Sequence, residues 1–100
     1  MERKNVTTMN FECDAAKARQ NQIQHGIKFE LAAQVFFDPY RIEIYDGRED
    51  YGEDRWATIG YAGLALLFVV YTVRDGETIR LISARKANAR ERQQYHQIHP

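Results

Sequence analysis

The spacing of apolar residues changes at Arg41, and this change limits the folds open to the chain. Before Arg41, apolar residues recur at helical spacing in two short stretches. From "RIEIYD" (41–46) onward, apolar and polar residues alternate, as they do in a half-buried strand. Helices followed by a run of strands predict an α+β fold in which the helices pack on a sheet.

Turn signals divide the second half of the chain into strands. A tight Ala62-Gly63 turn separates "RWATIGY" from "LALLFVVYTV", a run that is apolar on both faces, as in a central strand. Asp75-Gly76 then lies between two alternating runs and is a strong hairpin signal before the last strand, "TIRLISA". We therefore predict an antiparallel sheet of three to five strands.

Two helices are predicted before the sheet and one after it. The first follows a short strand, "MNFECD", and runs from about 15 to 25, with Asp14 as its N-cap and Gly26 as its C-terminal signal. The second runs from near 29 to 37 and ends at Asp38-Pro39. The third runs from about 89 to 97, behind a variant of the capping box.

Length and composition predict one small domain. A chain of 100 residues with 44% hydrophobic content can build a single core, which we place over residues 9–100 behind a flexible extension, 1–8. Cys13 is the only cysteine and cannot form an internal disulfide, which fits a reducing compartment. Because neither a signal peptide nor a membrane-spanning apolar run is visible, we expect a soluble, cytoplasmic protein with no membrane contact.

The formal net charge of zero conceals an uneven distribution of charge. Residues 1–54 carry seven Lys and Arg against eleven Asp and Glu, a net charge of −4. Residues 55–100 carry seven against three, a net charge of +4. A molecule that is neutral overall can therefore still present one face that binds a polyanion.

The first helix places a cation, an amide and an imidazole on one face. Lys17, Asn21 and His25 are spaced at i, i+4 and i+8, so they could position a phosphate and move a proton. His25 lies in the last turn, where the helix dipole favours its protonated form. The alternative is a polar surface stripe in which His25 only stabilises the helix end.

A carboxylate and a guanidinium share a face where the sheet begins. Glu53 and Arg55 lie two residues apart, so they could act as a base and an oxyanion clamp. They could equally form a surface salt bridge, which contributes little. No zinc pattern, glycine-rich phosphate loop or nucleophile elbow accompanies them, so we predict no metal and no cofactor.

Cations cluster at the C-terminal end of the chain, at Arg80, Arg85, Lys86, Arg90 and Arg92. By parity, Arg80 and Ser83 lie on opposite faces of the last strand, and Arg85 continues the face of Ser83. Arg90 falls in the first turn of the last helix, where the dipole disfavours a cation, so helix stability does not explain it. Phosphate binding and an acidic protein partner are the functional interpretations, and a solvated helix face is the alternative.

Two tyrosines are candidates for base stacking. Tyr71 and Tyr95 could stack on unpaired bases, as aromatic side chains do in single-stranded RNA sites. The alternative is that both rings belong to the core or its rim, as most tyrosines of a small domain do.

Several ordered motifs then resemble one known family over roughly residues 9–95. They are "FECDAAKARQNQIQHGIKFELAAQVFFDP", "EDRWATIG" and "LLFVVYTVRDGETIRLISARKANARERQQY", which resemble the BrnT family of bacterial type II toxins. Two positions depart from the pattern, Cys13 in place of a tryptophan and Lys28 in place of a Ser or Thr cap. The first alters packing, and the second weakens a cap by roughly 1 kcal/mol.

The resemblance implies a compact, metal-independent ribonuclease with a RelE-like fold that inhibits translation and growth. It also implies a BrnA-type antitoxin in a 2:2 complex, which contacts operator DNA only through the antitoxin. RNA cleavage by the substrate's own 2′-hydroxyl needs a base, an acid and phosphate-binding cations. We assign the catalytic roles to His25, Glu53, Arg55 and Arg85, and RNA binding to Lys17, Arg80, Tyr71, Lys86, Arg90 and Tyr95.

Two alternatives use the same cations without catalysis. One is an RNA-binding or ribosome-binding module that blocks translation, and it predicts salt-sensitive binding to RNA that stays intact. The other is a protein-interaction domain whose basic surface serves only an acidic partner.

Overall fold

A computed structural model describes residues 10–46 and 52–98 of the chain. The extension predicted for residues 1–8 lies outside the described residues. Within them the elements are β1 (Asn10–Glu12), α1 (Ala15–His25), α2 (Phe29–Ala32), a 3₁₀ helix (Ala33–Phe37), β2 (Ile42–Asp46), β3 (Arg55–Ala62), β4 (Ala65–Arg74), β5 (Thr78–Lys86) and α3 (Ala89–Ile98). No helix of the described ranges is long and apolar enough to cross a membrane.

The described strands form one sheet of five strands in the order β1-β5-β4-β3-β2. β2 to β5 pair antiparallel as predicted, but β1 pairs with β5 in parallel, with Phe11 beside Ile79. The prediction of an antiparallel sheet is therefore wrong at this edge, and the sheet is mixed. Two parallel strands cannot be joined by a tight hairpin, and here the helices and β2 to β4 all lie between β1 and β5 in the sequence.

The ends of the N-terminal helices follow the sequence signals. The Asp14 side chain accepts hydrogen bonds from the backbone N–H of Ala16, at 2.7 Å, and of Lys17, at 3.2 Å, so the predicted N-cap is confirmed. Gly26 ends α1 in the left-handed region, with φ of 71°. Lys28 provides no side-chain cap for α2, which tightens into the 3₁₀ helix after one turn.

The two faces of the sheet pack against different helices. On one face, Val35 and Phe36 of the 3₁₀ helix pack with Leu67, Val69 and Tyr71 of β4 in the larger part of the core. On the other, which we call the α3 face, Tyr95 of α3 packs with Ile59 of β3 and Leu66 of β4. Since alternate residues of β4 enter both clusters, this strand is buried on both faces as predicted.

A β-bulge in β5 changes which side chains lie on the α3 face. The register of β5 on β4 shifts between Val70 and Tyr71, which leaves Ile82 as the extra residue. Ser83 pairs with Val70, and Arg80 pairs with Thr72, two residues further along β4 and so on the same face. The parity prediction that Arg80 and Ser83 lie on opposite faces is therefore wrong, because it assumed a strand without a bulge.

Candidate functional site

Arginines from three of the described strands lie on the α3 face: Arg55 of β3, Arg74 of β4, and Arg80 and Arg85 of β5. Arg85 pairs with Phe68 of β4, and the bulge brings Arg80 to the same side. Arg55, at the start of β3, shares a face with Ala57, which pairs with Val70. We call Arg55, Arg80 and Arg85 the arginine row; at a strand spacing of about 4.8 Å, the backbones of Arg55 and Arg80 lie roughly 10 Å apart.

Arg55 lies beside Glu53. The Nε of Arg55 is 3.6 Å from Oε2 of Glu53, and both side chains are partly exposed. The segment that carries Glu53 is held against the sheet by two hydrogen bonds to Asp54. Thr72 donates one of 2.5 Å to the Asp54 backbone oxygen, and Tyr45 donates one of 3.0 Å to the Asp54 carboxylate. The structure thus brings together the carboxylate and guanidinium that the sequence placed on one face.

Arg80 shares a carboxylate with a second arginine. Its Nη1 is 3.2 Å from Oε1 of Glu12, and the Nε of Arg74 is 3.4 Å from the same oxygen. Two guanidinium groups around one carboxylate leave an excess of positive charge at this edge of the sheet. Glu12 was not visible as a partner in the sequence, since the contact depends on the parallel pairing of β1 with β5.

Arg85 makes the most complete ion pair of the row. Its Nη1 and Nη2 each donate a hydrogen bond of 2.8 Å to one oxygen of Glu91, and its guanidinium carbon lies 4.3 Å from the ring centroid of Phe68. Burial raises the pKa of Glu91, but hydrogen bonds from Arg85 and from the Asn88 backbone outweigh it and hold the pKa below its usual value. Glu91 is therefore a stable anionic partner for Arg85 at neutral pH.

The same carboxylate caps α3. Asn88 accepts a hydrogen bond of 2.8 Å from the Glu91 backbone N–H, and Glu91 accepts one of 2.9 Å from the Asn88 backbone N–H. The predicted capping-box variant is confirmed. The sequence showed Glu91 only as a cap, and its second role as the partner of Arg85 was missed because that contact joins a strand to a helix.

The three polar residues that share one face of α1 have different surroundings. Asn21 is buried, and its side chain hydrogen-bonds the backbone of Ala84 in both directions, at 2.9 Å each, so its role is structural. Lys17 lines a shallow cavity of about 190 Å³ together with Ser83, beside the α3 face. His25 is exposed at the end of α1, and within the described ranges it makes no hydrogen bond or ion pair with Glu53 or the arginine row.

The two tyrosines predicted to stack on bases are buried. Tyr71 is 7% exposed, donates a hydrogen bond to Glu43 and packs against Phe36. Tyr95 is 5% exposed and donates a hydrogen bond of 2.8 Å to Asp38. Neither ring has a free face on which a base could stack. The prediction that Tyr71 and Tyr95 stack on bases is therefore wrong, and both tyrosines belong to the core.

The remaining C-terminal cations are not part of the arginine row. Lys86 and Arg92 line a cavity of about 380 Å³ together with the fully exposed Leu64. Arg90 is exposed in the first turn of α3. Lys86 and Arg92 form a second basic surface beside the β3–β4 turn. In the described part of the chain, no three His, Cys, Asp or Glu side chains cluster closely enough to hold a metal ion.

Comparison with known proteins identifies the family. No curated protein matches the chain. The crystal structure of the Brucella abortus ribonuclease toxin BrnT is similar in fold, with a TM-score of 0.56 and 24% identity over 81% of this chain and 99% of that chain. Residues 13–91 match the family described as the ribonuclease toxin, BrnT, of type II toxin–antitoxin systems. Because the match spans most of the sequence, the chain belongs to the BrnT family of ribonuclease toxins.

Proposed function

We propose that this protein is a metal-independent endoribonuclease that cleaves RNA through the substrate's own 2′-hydroxyl and thereby inhibits translation and growth. The 2′ oxygen forms a bond to the adjacent phosphorus as the bond from phosphorus to the 5′ oxygen breaks. A base takes the 2′ proton, and an acid gives a proton to the departing 5′ oxygen. The products are a 2′,3′-cyclic phosphate and a 5′-hydroxyl.

The arginine row is the observation that carries this proposal. A phosphorane gathers negative charge on its oxygens, and preorganised cations stabilise that charge more than they stabilise the substrate. Arg55 and Arg85 are the proposed contacts to the scissile phosphate, and Arg80 is an outer contact on the same face. Lys17, beside Ser83, extends the cationic surface toward α1.

Glu53 and His25 are the proposed proton-transfer groups. Glu53 suits the base, because it lies next to Arg55 and would stand beside the 2′-hydroxyl of a phosphate held there. His25 is the proposed acid, and its side chain is exposed in the last turn of α1. Both would act at the same phosphate, Glu53 at the 2′ oxygen and His25 at the 5′ oxygen.

Membership of a type II toxin–antitoxin family implies an antitoxin partner. We propose that the partner is a BrnA-type protein in a complex with two copies of each chain, bound to operator DNA through the antitoxin alone. The second basic surface, with Lys86 and Arg92, and the exposed Arg90 fit an acidic segment of that partner or RNA outside the cleavage point. A cytoplasmic location agrees with the single unpaired cysteine.

The second basic surface also supports a rival function. Exposed cations around Leu64 would suit a module that binds RNA or the ribosome without cutting it. Such a module leaves bound RNA intact, and its affinity falls steeply with salt.

Alanine variants test the proposed site. Arg55→Ala and Arg85→Ala should each lower RNA cleavage by about 100-fold, the usual effect of removing one donor to a developing oxyanion. His25→Ala should lower it by about the same factor, since general acid–base groups contribute at least that much. Cleavage of labelled RNA and growth arrest on expression are the measurements, with exposed Arg19→Ala as the control.

Because Glu53 and Arg55 lie within reach of each other, the double variant accompanies the singles. The proposed site is wrong if all three single variants remain folded and as toxic as the unmodified protein.

A further inference from the structure

The hydrogen bonds of Arg85 fix which edge of its guanidinium faces solvent. Nη1 donates one bond of 2.8 Å to Glu91 and a second of 3.2 Å to the backbone oxygen of Lys86. Nη2 donates one bond of 2.8 Å to the other oxygen of Glu91. These contacts occupy the end of the guanidinium and use three of its N–H groups.

The opposite edge of the same group is left for a ligand. A guanidinium has five N–H donors, and the Nε–H lies beside one N–H of Nη2 in a second fork. Among the described residues, no partner uses this second fork of Arg85. The Arg85 side chain is 37% exposed, whereas Glu91 is 12% exposed, so solvent reaches the arginine more than the carboxylate behind it.

Three supports hold this fork in place. Glu91 is itself fixed by the α3 cap, Phe68 lies under the guanidinium plane, and the Lys86 carbonyl restrains Nη1. A planar fork matches two oxygens of a phosphodiester, and an arginine already held in one orientation loses little conformational freedom on binding.

We propose that Glu91 is a positioning residue that aims the Nε–Nη2 fork of Arg85 at two oxygens of the scissile phosphodiester in RNA. This rests on the proposed ribonuclease function. The ion pair of Glu91 and Arg85 has no net charge, so the arginine acts through directed hydrogen bonds rather than through an excess of positive charge. The Glu91 side chain thereby both caps α3 and orients the arginine that contacts the phosphate.

The test separates positioning from helix capping with a matched pair of variants. Glu91→Gln keeps the cap, because glutamine also serves in a capping box, but it loses the paired, charged acceptor for Arg85. Asn88→Ala removes a cap bond and leaves both bonds from Arg85 to Glu91. We expect Glu91→Gln to lower kcat for RNA cleavage by about 10- to 100-fold, the effect of a small misplacement.

The KM of Glu91→Gln should stay the same or fall, because removing a carboxylate makes the RNA-binding face more positive. Asn88→Ala should keep the kcat of the unmodified protein at a temperature where both variants are folded, although its Tm falls. An unchanged kcat in Glu91→Gln would overturn the proposal, as would an equal loss of kcat in Asn88→Ala.

Arg85→Lys keeps the test decisive if Glu91→Gln does not fold. Lysine retains the charge but has no fork, so its kcat should fall as far as that of Arg85→Ala. Activity close to that of the unmodified protein in Arg85→Lys would overturn the proposal. The ribonuclease function itself fails by a different result, namely no RNA cleavage by the unmodified protein.

Discussion

Asn21 shows how one side chain replaces a strand at the edge of the sheet. β1 covers β5 only as far as Arg80, so the backbone of Ala84 lies beyond the last paired residue of that edge. The Asn21 amide donates to the Ala84 oxygen and accepts from its N–H, as a neighbouring strand would. A third bond, from Asn21 to the backbone oxygen of Ile27, fixes the chain after α1. Asn21 therefore closes the edge and anchors the helix that carries Lys17 and His25.

The sequence placed Asn21 correctly on the same helical face as Lys17 and His25, but the interpretations it offered were a phosphate-positioning face or a polar surface stripe. Helical spacing shows which residues share a face, but it does not show that Ala84 lies opposite with unpaired backbone groups. That information is non-local, since 63 residues separate the two partners.

Replacement of Asn21 should destabilise the protein strongly. Asn21→Ala leaves the buried N–H and C=O of Ala84 without their side-chain partner, and an unsatisfied buried group costs about 1–3 kcal/mol. We expect the free energy of unfolding to fall by roughly 3 kcal/mol, measured by urea denaturation. Gln22→Ala, exposed on the same helix, is the control and should change stability by less than about 0.5 kcal/mol. Equal stability of the two variants would show that the Asn21 bonds contribute nothing.

At the level of elements, Asp38 links α3 to the sheet from a position outside both. Asp38 follows the 3₁₀ helix, and its Oδ2 accepts from the Tyr95 hydroxyl at 2.8 Å and from the Tyr61 backbone N–H at 2.9 Å. Its Oδ1 accepts from the Tyr40 backbone N–H at 2.9 Å. Burial raises the pKa of Asp38, but these hydrogen bonds outweigh it, so the pKa lies below its ordinary value of 3.8. Protonation of Asp38 should therefore loosen α3.

The lowered pKa of Asp38 predicts an acid-sensitive contribution to stability. A carboxyl whose pKa is lower when folded stabilises the protein fully above its unfolded value, 3.8, and loses that effect as pH falls through the lower folded value. We expect Asp38→Asn to be less stable than the unmodified protein at pH 7, with the difference shrinking below about pH 4. Thermal unfolding between pH 2 and pH 7 measures it, with Asp75→Asn on the exposed hairpin as a control for loss of one charge. A stability difference that does not change with pH would contradict this account of Asp38.

Most of the helices and strands could be predicted from the sequence. The features that could not be predicted have physical causes. The caps of α1 and α3 and the Asp75-Gly76 hairpin involve neighbours in sequence, so local signals were sufficient. The parallel pairing of β1 and the bulge at Ile82 depend on partners far along the chain, and alternation alone does not reveal them. The bulge matters most for the proposed site, since it brings Arg80 to the face of Arg85.

At the scale of the whole molecule, the basic half of the sequence supplies the arginine row of the α3 face. The arginines of the row come from the basic half of the chain, and they lie on the α3 face. Each arginine of the row has a carboxylate within 4 Å: Glu53 for Arg55, Glu12 for Arg80 and Glu91 for Arg85. Glu53 and Glu12 come from the acidic half of the chain. The fold therefore intermixes the halves, and the row offers oriented guanidinium groups rather than a large excess of charge. Such a surface suits the stabilisation of one charged intermediate better than the tight binding of long RNA.

The central claim is that this face cleaves RNA through the 2′-hydroxyl without a metal ion. The most direct measurement incubates the purified protein with end-labelled RNA in excess chelator and identifies the ends of the fragments. The account predicts cleavage, with 2′,3′-cyclic phosphate on one fragment, a 5′-hydroxyl on the other, and far less product from Arg55→Ala. RNA that is bound but stays intact, or cleavage that appears only when a divalent metal is added, would contradict it.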